Sequence, residues 1–189
     1  MTVKTPMSRF HIHDDESAPP GSLPVIKGAL GASGQLPNFI GVLAGSPAAL
    51  RAYARFRSEL RRGTLPRTTL ERISLGVAEH YGSLPGVELH QRTARQEGLG
   101  LDEVQAARAW DSNDEREQAL LLLLRESLAG TSPLPAHLVE EAREHGWSDE
   151  QILEAIAFVA LESFTAMVNV AGDVPADGSL EESRTLHAA

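Results

Sequence analysis

From about residue 67 onward, apolar side chains return every three to four positions, the interval that lines one face of an α-helix. Leu70, Ile73, Val77 and Tyr81 form the first clear row. Thr68 precedes Glu71 by three residues, the spacing at which a hydroxyl and a carboxylate cap a helix start reciprocally, and this predicts a helix over about 67–82. Gly82-Ser83-Leu84-Pro85 breaks the row. Pro85 fits the first turn of a following helix, which should run to about Glu97 and stop at Gly98. The two helices read as a tight hairpin.

The same cap logic at Asp114 and Glu117 opens a helix whose run Ala119-Leu120-Leu121-Leu122-Leu123-Leu124 is apolar on nearly every side, so it is expected to be the central and most buried one. Ser148 and Gln151 repeat the signature ahead of Ile152, Ile156, Val159, Phe164 and Met167, a stripe that continues to about Val170. Trp110, Trp147, Phe158 and Phe164 are assigned to the core rather than to a cofactor site. No alternating strand pattern of convincing length occurs, and Gly130-Thr131-Ser132-Pro133 falls between helices. The fold class is therefore all-α, a bundle built around the hairpin. One internal echo stands out: the segments Gly98–Val104 and Gly146–Ile152 each follow one helix and open another, as in a helix-hairpin repeat.

Residues 1–22, rich in Pro, Ser and charge, read as an extended arm over the domain or a neighbouring subunit; 23–177 read as a single helical domain and 178–189 as a flexible tail. A chain of 189 residues, 42% hydrophobic, suffices for one domain with a real core. The formal charge of -9 argues against nucleic acid, whose phosphates are neutralised by Lys and Arg. The N-terminal stretch lacks an apolar signal region and no later stretch is expected to span a bilayer, so no membrane partner and a cytoplasmic location are expected. With Cys 0 there is no disulfide, no thiolate nucleophile and no redox couple.

Several side chains carry candidate chemistry. Glu71 is a general acid or base if the bundle buries it, and a helix cap if not. His90 has an ordinary pKa suited to proton transfer, or serves as a satisfied interior or inter-subunit histidine. His80 and Tyr81 end the first hairpin helix and could orient a substrate oxygen, although a histidine there also complements the negative helix end. Glu79 and Glu88 add acidity near the turn, with solvated surface or a Glu88–Arg92 ion pair as the default. Neither His11-Ile12-His13-Asp14-Asp15-Glu16 nor His80 with His90 has the ligand set of a zinc or di-metal cage, so no metal is predicted. No Gly-rich phosphate loop follows a strand, and no cofactor is predicted.

Three stretches together resemble the carboxymuconolactone decarboxylase and AhpD-like alkylhydroperoxidase superfamily. They are the arm with Phe10-His11-Ile12-His13, Glu16-Ser17-Ala18-Pro19, Leu36-Pro37-Asn38 and Ser46-Pro47-Ala48-Ala49-Leu50; the hairpin with Glu71 and His90; and the last helix ending in Asn169, Asp173 and Pro175. Order and spacing match from about residue 10 to 177. The resemblance implies an AhpD-like helical bundle that assembles into trimers or hexamers, with its site at the hairpin turn. In the peroxidase branch a C-x-x-C pair precedes the histidine; here those places hold Ser83 and Gly86. Val170 stands where relatives often carry a histidine, and Gly86-Val87 where the decarboxylase branch places an acidic-aromatic pair. Ser83 lacks a nucleophile-elbow context and reads as an N-cap or, with Asn169, as a substrate contact.

The resulting expectation is a cofactor-independent acid/base enzyme of decarboxylase, lyase or isomerase type. It would act on a small oxygenated organic acid or lactone through Glu71 and His90, with His80 or Tyr81 assisting. The alternative is a catalytically inactive oligomeric scaffold that binds a ligand or partner.

Overall fold

Residues that resist the helix interior set most of the helix starts. Proline occupies the first turn of α1 (Leu23–Ala29), α3 (Pro47–Leu60) and α5 (Leu84–Gln96), where its missing N–H is not needed. Ser46 accepts from the Ala49 N–H to start α3, and Asp114 accepts from the N–H groups of Arg116 and Glu117 to start α7 (Glu115–Ala129). Ser148 and Gln151 form the reciprocal capping box that opens α9 (Asp149–Gly172), as the sequence predicts. The remaining helices are α2 (Asn38–Leu43), α4 (Arg67–Tyr81), α6 (Leu101–Arg108) and α8 (Ala136–Glu144). The computed structural model describes residues 8–30, 36–130 and 133–177. Among them there is no strand, and the all-α class holds. The predicted tail 178–189, residues 1–7 of the arm and part of the Gly130–Pro133 turn lie outside the described residues.

The hairpin forms as its breakers dictate. Gly82 ends α4 in the left-handed conformation at φ 67, and Ser83 leads into α5 with Pro85 in its first turn. At the far end Gly98, at φ 96, closes α5. The echo is real at atomic level: the N–H groups of Gly98 and Leu99 bond the Arg95 and Ala94 carbonyls, and those of Gly146 and Trp147 bond Arg143 and Ala142 in the same pattern. Leu99 and Trp147 thereby turn into the core at both places.

The central helix is α4, not α7. Every residue from Arg72 to Ala78 is buried, because α4 packs against α5, α6, α7 and α9 at once. The poly-leucine run of α7 is buried at Leu120, Leu121, Leu123 and Leu124, but Leu122 is only partly covered. Trp110, Trp147 and Phe158 lie in the main core as expected, while Phe164 packs on a second cluster formed by the arm, α1, α2 and α3. Only part of the predicted α9 stripe faces inward: Ile152 and Val159 are buried, whereas Ile156 and Met167 are exposed. At 24 residues α9 is also long and apolar enough to cross a membrane by length and composition, which corrects the expectation that no segment would be. Its packing on α2, α3, α4 and α7 is that of a core helix.

Residues 8–22 lie over their own domain. The Arg9 N–H donates to the Gly172 carbonyl, that of His13 to Gly41, and the Ser22 hydroxyl to Ala44. This fastens the N-terminal segment across the C-terminal end of α9 and over α2. Elsewhere Arg72 ties α4 to α6 and α7, donating to Glu103 at 3.0 and 2.9 Å and lying 3.8 Å from Glu117.

Candidate active site

Antiparallel pairing of α4 and α5 brings Glu71 and His90 together. His90 Nδ1 lies 3.0 Å from Glu71 Oε2, and the same oxygen accepts the Thr93 hydroxyl at 2.5 Å. Glu71 is therefore not a helix cap: Pro66 is the N-cap of α4 and no side chain caps it, which places Thr68 inside the first turn, past the position the capping box needs. On its other side, His90 Nε2 is 3.6 Å from Glu162 Oε2 on α9. The imidazole thus lies between two carboxylates, all three side chains largely shielded from solvent. Burial alone would lower the His90 pKa, but the close approach of Glu162, the hydrogen bond to Glu71 and the negative charges of both outweigh it and push His90 up to about 9. At neutral pH it is an imidazolium.

His90 and Glu162 line a cavity of about 260 Å³ enclosed by α2, α3, α5, α9 and the segment after α9. Glu71 is not part of the lining and stands behind the imidazole. Asn38 fastens one edge: its side-chain amide donates to the Pro175 and Ala176 carbonyls at 3.1 and 3.2 Å, and its N–H donates to Asp177 Oδ1 at 2.8 Å. Phe39, Ile40 and Leu89 supply apolar wall. Tyr53 also faces the cavity; burial pushes its hydroxyl above the ordinary value, with Arg57 opposing and Glu162 reinforcing that shift. Arg57 and Arg92 belong to the lining too, and neither has a carboxylate within ion-pair distance among the described residues. Of the two alternatives for Glu88, the ion pair to Arg92 does not form and the side chain is solvent-exposed, and both residues border the cavity.

The other sequence candidates divide. Ser83 and Asn169 both line the cavity and touch each other, Asn169 Nδ2 donating to Ser83 Oγ at 3.3 Å. Ser83 occupies the N-cap position of α5, yet its hydroxyl makes no cap bond. His80 and Tyr81 do not reach the cavity; they stack edge to face on each other at 5.1 Å, His80 exposed and Tyr81 packed on the main core. Among the described residues no three His, Cys, Asp or Glu side chains gather as a metal site requires. Glu162, Tyr53, Arg57 and Arg92 were not singled out as site residues from sequence. Glu162 left a signal, as the one charged residue between Glu154 and Asp173 in an otherwise apolar stretch, whereas Tyr53 and Arg57 reach the site only through the packing of α3 on α9.

Residues 47–126 match the model of the carboxymuconolactone decarboxylase family. No curated protein matches the chain. Among solved structures, an uncharacterised peroxidase-related protein from Ralstonia eutropha JMP134, described as an alkylhydroperoxidase AhpD core, is similar at TM-score 0.80 and 18% identity, over 93% of this chain and 95% of that one. A peroxidase-related protein from Silicibacter sp. TM1040 gives TM-score 0.78 and 16% identity over 94% and 95%. A variant of the debrominase Bmp8 in complex with 2,3,4-tribromopyrrole gives TM-score 0.66 and 19% identity over 98% and 97%. At these identities the likeness establishes the fold, an AhpD-like helical bundle.

Proposed function

We propose that the chain is a cysteine-free member of the carboxymuconolactone decarboxylase and AhpD-like superfamily, a reading supported by the family match over residues 47–126 and the shared fold, and that it is a cofactor-independent acid/base enzyme acting on a small oxygenated organic acid or lactone in the His90–Glu162 cavity. Dithiol peroxidase chemistry is closed to it, since it has no thiol to oxidise. The observation that carries the reading is an imidazolium and a carboxylate side by side on the wall of one cavity, with a second carboxylate behind the imidazole.

The 3.6 Å separation of His90 Nε2 from Glu162 exceeds a strong hydrogen bond, so a substrate oxygen can compete for that proton. Glu162 removes a proton from the carbon beside a carbonyl, and the Nε2–H of His90 passes to the carbonyl oxygen, giving the enol. Where the enol is conjugated with a further C=C bond, Glu162 returns its proton to the far end of the dienol. The enol O–H proton goes back to His90 as the carbonyl re-forms, so the double bond has moved and the substrate is isomerised. Where the carbon carries a carboxylate, the C–C bond breaks instead: CO₂ leaves, the bonding pair enters the enol, and His90 again supplies the oxygen-bound proton. Glu71 is a positioning residue, fixing the ring through Nδ1. Arg57 and Arg92 provide a seat for a substrate carboxylate. A small planar heterocycle such as the one bound to the debrominase is compatible in size with this cavity.

Solvent exchange tests the proton-transfer step without knowledge of the product. Small keto acids and lactones are incubated with the protein in D₂O, and loss of the α-proton signal is followed by NMR. Wild type should catalyse exchange of at least one class, and Glu162→Gln should slow it by about a hundredfold or more. One observation favours the alternative of a binding module: both ring nitrogens of His90 face carboxylates, leaving no free lone pair on the ring. Binding of small acids with no exchange by wild type would establish that reading and end the catalytic one.

A further inference from the structure

Ser83 and Asn169 present the cavity with hydrogen-bonding capacity that the protein leaves unused. Asn169 is 6% exposed and Ser83 1%. Asn169 gives one amide proton to Ser83, but its Oδ1 has no partner. Ser83 accepts that bond, caps nothing, and its own hydroxyl proton meets no acceptor among the described residues. Rotating the Asn169 amide end for end changes which atom carries which role and still leaves at least one donor and one acceptor open. A buried amide oxygen left unsatisfied is destabilising, so an open pair on a cavity wall calls for an occupant.

We propose that Ser83 and Asn169 form a ligand-reading subsite for a carbonyl with an adjacent N–H or O–H, as in a lactam or a hydroxylated lactone, carried on a small and otherwise apolar molecule. The carbonyl accepts from one member of the pair while the neighbouring donor bonds the other. Phe39, Ile40 and Leu89 receive the apolar body, and His90 is left to act on the remaining oxygen function. The inference takes from the proposed function only that the substrate occupies this cavity; it does not require turnover.

Three near-isosteric probes test it. Isoindolin-1-one carries N–H beside C=O, phthalide replaces the N–H by a ring oxygen, and N-methylisoindolin-1-one blocks it. Each is titrated into the full chain, with affinities in every variant read from backbone amide shifts and, in wild type, the Asn169 side-chain amide signals followed as well by NMR. In wild type, isoindolin-1-one should bind on the order of tenfold more tightly than the other two, the worth of one hydrogen bond that would otherwise stay unmade. In Asn169→Leu that preference should fall to within about twofold while phthalide still binds, and Ser83→Ala should weaken the preference in a second, independent variant. Equal affinities in wild type, a preference that survives both substitutions, or no response of the Asn169 amide to any probe would each overturn the proposal, leaving the pair solvated by water only. Failure of the exchange reaction in D₂O leaves the lactam preference untouched, so the two readings fail separately.

Discussion

The His90 titration tests the physics of the site most directly. A rise from the ordinary 6.5 to about 9 corresponds to about 3 kcal/mol of preferential stabilisation of the imidazolium in the folded state. Because the folded pKa lies above the unfolded one, this contribution is fully present below about 6.5 and is lost as pH rises through about 9. Stability of wild type relative to His90→Gln should therefore shrink across that window, measured by urea unfolding at several pH values. The individual carboxylates are read from the ring itself, through its ¹⁵N signals. Glu162→Gln removes one opposing charge and should lower the His90 pKa by about 1–2 units, and Glu71→Gln should do the same. Burial, which acts alone once both are gone, should bring the double variant to or below the ordinary value. A wild-type midpoint near 6.5, or one indifferent to both substitutions, would refute the two-carboxylate account.

Three further outcomes follow from the packing and from the cavity wall. Gly76→Ala sets a methyl group 2.7 Å from two ring carbons of Trp110, which is 5% exposed and held at φ 60. Overpacking of that kind should cost about 1–3 kcal/mol in denaturant unfolding, and an unchanged midpoint would show the contact to be slack. Asn38→Ala removes the amide hydrogen bonds to the Pro175 and Ala176 carbonyls and should lower stability by about 1–2 kcal/mol, with faster ligand dissociation from the cavity as the second readout. Arg57→Gln should weaken binding of small carboxylic acids about fivefold at low salt, less as salt is added, and leave neutral lactones unaffected; equal losses for both ligand types would exclude a charge effect.

What the sequence disclosed follows the range of the forces involved. The hairpin was legible because Gly82, Pro85 and Gly98 act within a few residues of themselves. The Thr68–Glu71 spacing misled for the same local reason: a capping box is a short-range pattern, and Pro66 starts α4 too early for Thr68 to use it. That freed Glu71 for His90, a contact spanning 19 residues. His80 and Tyr81 looked like site residues because they adjoin the turn, yet adjacency along a helix says nothing about which side faces the cavity. Two of the groups facing the cavity, Tyr53 and Glu162, stand more than 100 residues apart in the chain, and only the packing of α3 on α9 unites them. Serine and glycine at 83 and 86 told which chemistry is absent, and the Ser83–Asn169 contact, 86 residues long, is what gives the first of them a use.

The cavity's charge balance yields one more expectation. Its titratable lining consists of Glu88, Glu162 and Asp177 against Arg57, Arg92 and His90, with Tyr53 neutral. With His90 protonated the formal charges cancel, an unusual wall for a chain of net charge -9, and an anion can enter without meeting net repulsion. Deprotonating His90 removes one positive charge and leaves Glu162 and, behind the ring, Glu71 facing any incoming carboxylate across a weakly screened space. Affinity for a small carboxylic acid should accordingly hold steady to about pH 8 and then fall on the order of tenfold or more as His90 loses its proton near 9. The guanidinium groups keep their charge throughout that range, so the fall belongs to His90 and should be absent in His90→Gln. Isoindolin-1-one, being neutral, should show no such dependence. A carboxylate affinity that stays flat through pH 10 in wild type would mean that the imidazolium does not face the ligand, and the cavity would then have to be read without it.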